Sequence, residues 1–460
     1  MQQTTALNRT SLLVLLQIIL GSLLIYLAGF KQFSFCILLI NILFIPFYKY
    51  RNYFLSALPP LSITFTFNLF NEGLTRTAPL YIAVILSYLI SLFIYHQLLQ
   101  RKVKRPVLIT ICAIFTLSIA LRLSDNIIIK SIFYDLLIIA AYNSLQFIRE
   151  VDTFKQKLAW RDAIFSFCAF WNGPVFLNLT VAELKSKENS NLSDFLQTHL
   201  KAIKSLVIII PIFAFKNYLT LSLYNNGFYI PGSANISSLF VHQTLIGTID
   251  KMFDVGFPIF GQWVFVFSIF AGGMVLIFNL IFVYTLSITI AQMLGFDVPN
   301  PYTHFTNFQT IRGLFSKLYH YYNKNLIDIF YPRFRSYTRK TSIKVGKISL
   351  LFVSLLVGGF YWHLLNDIVW HTYELGILEL LRKNFLSIPF FVLVALSAIA
   401  EGKNQNKDKD LQSRWAIYLK RILLLFYFSV IFFCNRYTKF DGHNWATLVD
   451  VLKKAFFLDF

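Results

Sequence analysis

Three histidines sit among apolar residues where an ionisable side chain is costly unless it meets a partner or a cavity. His363 closes the run Gly358-Gly359-Phe360-Tyr361-Trp362-His363. An imidazole there titrates in the range suited to taking a proton from a hydroxyl group. The paired glycines allow a helix or a ligand chain to approach the backbone. A packing or interfacial role at a helix end is the competing reading. His371, eight residues on, is a rival base, although Asn366-Asp367 is a candidate helix end between them. His320 lies in Leu318-Tyr319-His320-Tyr321-Tyr322-Asn323, and on a helix it shares a face with Asn323. Such a pair can orient a bound group or donate to a developing oxyanion, or it can be a solvated interfacial face. Lys324 and Asp328 form an i,i+4 pair on the same segment. His304, just past the Pro301-Tyr302 turn, reads as a loop residue. Arg312, Lys317, Lys324, Arg333 and Arg335 suit the phosphates of a large anionic donor, or an ordinary basic juxtamembrane segment.

The elements that must position these groups are set by composition. The 460 residues are 56% hydrophobic and 14% charged, against about 25% charged in a soluble domain. Fifty Phe, 24 Tyr and 7 Trp are spread over repeated apolar runs, so the chain reads as an all-α, polytopic integral membrane protein. The net charge of +20 comes from Lys and Arg in short polar connections, which points to anionic head groups rather than nucleic acid. Cys36, Cys112, Cys168 and Cys434 have neither paired nor metal-ligand spacing, so neither a disulfide framework nor a metal site is expected. The apolar run from Leu12 lacks a small-residue cleavage site and reads as a retained first helix.

Apolar runs lie at about 12–29, 34–50, 52–72, 79–98, 106–123, 130–148 and 161–181, the last interrupted by Asn172-Gly173-Pro174. Pro46, Pro59 and Pro60 make the early ones irregular, and 101–105 is a basic loop. Residues 182–199 read as an exposed polar connection, 200–225 as a span, and 226–260 as a long connection. The run 262–294 is either one tilted helix or two elements, and 303–345 an amphipathic or re-entrant helix covered by protein. Spans follow at 346–366, 385–400 and 419–434, with a short helix at 372–382 and a charged loop at 401–415. The sum is about eleven to thirteen helices in a single membrane-embedded domain over 1–460, without the internal repeat of an inverted transporter.

In order, the motifs resemble the membrane-bound O-acyltransferase family, above all its bacterial branch acting on polysaccharides and cell-wall polymers. Phe170-Trp171-Asn172-Gly173-Pro174-Val175 is similar to the family's aromatic run ending in Gly-Pro. Leu294-Gly295-Phe296 with Pro301-Tyr302, then Phe315 to His320 and Phe330-Tyr331-Pro332, resembles its longest signature. Gly359-Phe360-Tyr361-Trp362-His363 is similar to its Gly-Leu-Trp-His-Gly. Ser316 and Leu318 stand where that branch has tryptophan and arginine, and Leu364 replaces the glycine after the histidine. The resemblance is concentrated in 165–370.

The resemblance implies helices around a central chamber in a multi-pass bacterial inner-membrane protein. His363 would be the general base, and His320 or Asn323 would orient the donor or hold the oxyanion. It further implies no tightly bound cofactor, acyl-CoA or another acyl thioester as co-substrate, and a saccharide, polymer or lipid hydroxyl as acceptor. Membrane lipids and an acyl carrier or accessory protein are the expected partners. An inactive family member and a lipid or polysaccharide transporter are the alternatives. Asp135 is the acid a transporter would use inside the membrane.

Overall fold

In the computed structural model the apolar runs fold as α-helices, and the described residues hold no sheet, only an isolated bridge between Glu188 and Phe296. The structure describes residues 78–101, 103–153, 159–168, 177–224, 260–304, 308–318, 320–341, 346–371, 376–390 and 414–440, with scattered positions between 12 and 45 and at 392, 393 and 396. The Asn172-Gly173-Pro174 break, the early prolines, nearly all of the 226–260 connection, most of the runs at 12–72 and part of the run at 385–400 lie outside them.

The basic loop at 101–105 separates α1 (Ala78–Gln100) from α2 (Pro106–Leu123), which starts with proline at its first turn, where the missing N–H costs nothing. Asn126 caps α3 (Ile127–Thr153) by accepting from the Ile128 and Ile129 amides at 3.0 and 3.3 Å. Both α1 and α2 pack along α3. Pro106–Leu123 and Ile128–Thr153 are the two helices among the described residues that are long and apolar enough to cross a membrane by length and composition.

After α4 (Trp160–Cys168), the stretch expected to be an exposed connection is instead mostly helical and buries one side of each helix. Thr180 opens α5 (Val181–Lys187) with a capping box, accepting from the Glu183 amide while Glu183 Oε2 accepts from Thr180 N at 2.9 Å. Val181 and Leu184, then Phe195, Leu196 and His199 at the start of α6 (Leu192–Tyr224), point inward. Average polarity concealed an apolar face at spacings of three and four.

The 262–294 run is one uninterrupted helix, α7 (Phe260–Met293), lying along α6 in the most extensive helix pairing among the described residues. Gly273 is where α12 (Arg414–Phe440) touches α7: a Cβ there would lie 2.2 Å from the Ser429 carbonyl oxygen. Gly295, at φ 86°, then turns the chain. The turn is latched to α5 by Asn189 N to Gly295 O at 3.0 Å and Asp297 N to Lys187 O at 2.7 Å. A 3-10 turn (Pro301–His304) leads to the amphipathic segment, which is split into α8 (Ile311–Leu318) and α9 (His320–Lys340). Tyr302 and Tyr321 tie it back, donating to Leu318 O at 2.8 Å and Pro299 O at 2.7 Å.

The helix α10 (Lys347–His371) runs past Asn366-Asp367, because Asp367 bonds to α11 (Ile377–Leu386) instead of turning the chain. A continuous apolar core joins α2, α3, α5 to α12 and the Gly295 turn.

Candidate functional site

The sequence candidates lie on α8, α9 and α10, of which α9 and α10 pack together. A Cβ on Gly358 would sit 3.0 Å from the side chains of Leu326 and Phe330, so the two helices touch at that level. The seam itself is apolar. Tyr361, Trp362 and Leu365 are buried in it, with the Tyr361 ring edge-on to Phe330 at 5.9 Å and its hydroxyl 2.9 Å from Thr110 Oγ1.

His363 does not point into that seam. At 3.6 residues per turn it lies about 140° around α10 from Gly358. It is half-buried, with its ring edge-on to Trp362 at 4.8 Å. The face it occupies is shared by Asp367, one turn later, and by Phe360, whose ring lies 5.0 Å from Phe385 of α11. Asp367 is buried and its Oδ2 accepts from Asn384 Nδ2 at 2.6 Å, while the same amide donates to Leu380 O at 2.8 Å. The histidine and the acid held by Asn384 therefore belong to one helical face. The signal was legible as an i,i+4 His–Asp spacing, but the sequence reading had treated Asp367 as a helix terminator.

His320 is exposed at the first position of α9, edge-on to Tyr321 at 5.0 Å. Partial desolvation and then the Lys324 charge hold its imidazole pKa below the ordinary value. Asn323 lies on α9 and Arg312 on α8, with side chains outside the described residues, as are those of His304 and His371.

The basic candidates divide. Lys324 bonds Glu183 Oε1 at 2.9 Å, so its partner is across the fold rather than Asp328 one turn away. Arg333 bonds Asp152 at 2.8 Å and also donates to Ile329 O. Lys317, in the last turn of α8, has its ammonium pKa lowered by desolvation and then by Arg421 of α12. Arg335 is exposed.

A charged junction absent from the sequence reading joins α3, α5 and α9. Arg149, buried on α3, donates to the Asn178 carbonyl, to Glu183 at 2.9 Å and to Asp328 at 3.4 Å. Beside it Glu150 accepts from the Val181 amide, and Asn325 donates to Leu177 O at 3.0 Å. Burial pushes the Glu183 carboxyl up, but the Arg149 charge, the Thr180 amide and the Arg149 and Lys324 hydrogen bonds outweigh it and bring the pKa down to about 2. Among the described residues, no group of three or more His, Cys, Asp or Glu is placed to hold a metal ion.

No protein-family model matches this chain, and no curated protein matches it. What the residues themselves provide is an all-helical framework with a half-buried histidine, backed on its own face by a buried acid and amide.

Proposed function

We propose that the protein is a multi-pass membrane O-acyltransferase, related to the membrane-bound O-acyltransferase family, which moves an acyl group from a thioester to a hydroxyl acceptor with His363 as general base. The observation that carries the reading is the position of His363: half-buried, and one turn from a buried acid on the same helical face. A neutral imidazole there takes the acceptor's proton as the hydroxyl oxygen attacks the thioester carbonyl. The tetrahedral oxyanion collapses and expels the thiolate, which takes up the proton from the imidazolium. No covalent enzyme intermediate is needed. Arg312 and Lys317 meet donor phosphates. Lys324 and Arg333, which bond Glu183 and Asp152, hold α9 in place. Asp367, one turn along the same face and fixed by Asn384, favours the protonated ring.

The donor is acyl-CoA or another acyl thioester, with no tightly bound cofactor. The acceptor is a saccharide, polymer or lipid hydroxyl, and the setting is a bacterial inner membrane. Purified protein given a labelled acyl thioester and bacterial envelope fractions is expected to release free thiol and move label to an ester. Thiol release equal to that of boiled protein would refute the reading.

A second reading, ion-coupled transport, has one specific observation in its favour. Asp135 is buried within α3, and its Oδ2 has no hydrogen-bond partner among the described residues. Uptake into proteoliposomes that depends on a cation gradient and is lost in Asp135→Asn would favour transport over transfer.

A further inference from the structure

We propose that the bare face of α12 is a lipid-facing surface, and that the collar at its head, Trp415, Tyr418 and Arg421, takes the phosphate of an anionic phospholipid. The helix is docked on one side only. Leu424, Phe428 and Ile431 are buried, and the Ser429 backbone meets Gly273 of α7. On the other side Trp415 is 83% exposed, and Tyr418, Leu419, Ile422 and Leu423 are each more than half exposed. Their spacing of three and four residues makes one continuous stripe. A stripe of Leu and Ile headed by Trp and Tyr is unfavourable in water but matches a bilayer edge, where amphipathic rings sit at head-group depth above apolar chains.

Charge selects which head group. Neither α8 nor α12 contains an acidic residue, while α12 carries Arg414, Lys420 and Arg421 ahead of an uncharged run over 422–435. The Arg421 guanidinium is held in place: Nε donates to Phe308 O at 3.1 Å, and the group lies 5.8 Å from the Tyr418 ring centroid. Trp415 stands edge-on to the same ring at 6.5 Å. The cation is thus set beside the Tyr418 and Trp415 rings, and a phosphodiester meets it at the depth where those rings sit. The inference rests on the membrane setting proposed above and not on acyl transfer.

The test is thermal unfolding of the full-length protein in detergent, with phosphatidylglycerol or phosphatidylcholine added at equal concentration. Phosphatidylglycerol is expected to raise Tm more, and Arg421→Gln is expected to remove at least half of that excess while the phosphatidylcholine response is unchanged. Equal responses to the two lipids, or an excess that survives the substitution, would overturn the proposal. So would a rise with inorganic phosphate that Arg421→Gln removes, which would make the collar a site for soluble phosphates. A second measurement does not depend on that variant folding. In vesicles, the tryptophan fluorescence component lost in Trp415→Phe is expected to be quenched by a lipid labelled at its head group. A component that no lipid quenches would refute the lipid-facing assignment. Both outcomes are independent of whether the protein transfers an acyl group.

Discussion

The junction of α3, α5 and α9 and the face that α10 turns towards α11 use polar side chains in opposite ways. At the junction, buried Arg149 is bonded to a backbone carbonyl and two carboxylates, and Lys324 closes on the same Glu183. Charge there is matched within the protein, which is how ions survive burial at all. On the α10 face a half-buried imidazole stands one turn from an acid fixed by a neutral amide. The first arrangement holds three helices together. The second leaves a proton acceptor accessible, and the difference is why the site is assigned to His363 rather than to the more densely bonded cluster.

Breaking the junction should have the largest effect on stability. Arg149→Met strands the Asn178 carbonyl and leaves Glu183 with Lys324 alone of its two cations, and removing one partner of a buried pair costs about 3–5 kcal/mol. A fall in Tm in detergent measures it, with turnover per folded molecule retained. Gly273→Ala should cost somewhat less, about 1–3 kcal/mol from overpacking against the Ser429 backbone. Its Tm should fall without any change in the stability increment lost on mutating Arg149, because the two sites share no partner.

Asn384→Leu removes the donor to buried Asp367 and should cost about 1–3 kcal/mol. Because the acid behind His363 is then free to shift, transfer should fall as well, in kcat rather than KM. A Tm loss with unaltered kcat would reduce Asp367 to a packing residue.

The pH response is the finest of these effects. Glu183 has a folded pKa of about 2 against an ordinary 4.5, so the unfolded state binds its proton first as pH falls. Its stabilising contribution is complete above the ordinary value and is lost progressively as pH drops from 4.5 towards 2. Denaturation across that window should show a slope that Glu183→Gln flattens.

Helices were the legible part of the sequence. The runs at 79–98 and 106–123 became α1 and α2 almost unchanged, because a long apolar run carries its own length signal. The helices and buried positions within the polar stretch 182–199 are not legible in it, because they depend on partners far away in the chain: Lys187 and Asn189 bond the Gly295 turn, and Glu183 meets α3 and α9. The same holds for the site. His363 stood out by type and neighbours, whereas Asn384 entered only when α11 folded back on α10. Lys324 looked like half of a local pair with Asp328, yet both reach across the fold, to Glu183 and Arg149. Spacing along one helix reveals who can share a face but not which other helix supplies the partner.

The central claim is that the α10 face is chemical and the junction structural. The direct test measures thiol release from a labelled acyl thioester, together with Tm, for wild type, His363→Ala and Arg149→Met. The account predicts that His363→Ala loses at least about a hundredfold in rate with its Tm unchanged, while Arg149→Met loses Tm and keeps its rate per folded molecule. A His363→Ala protein that turns over like wild type would contradict it.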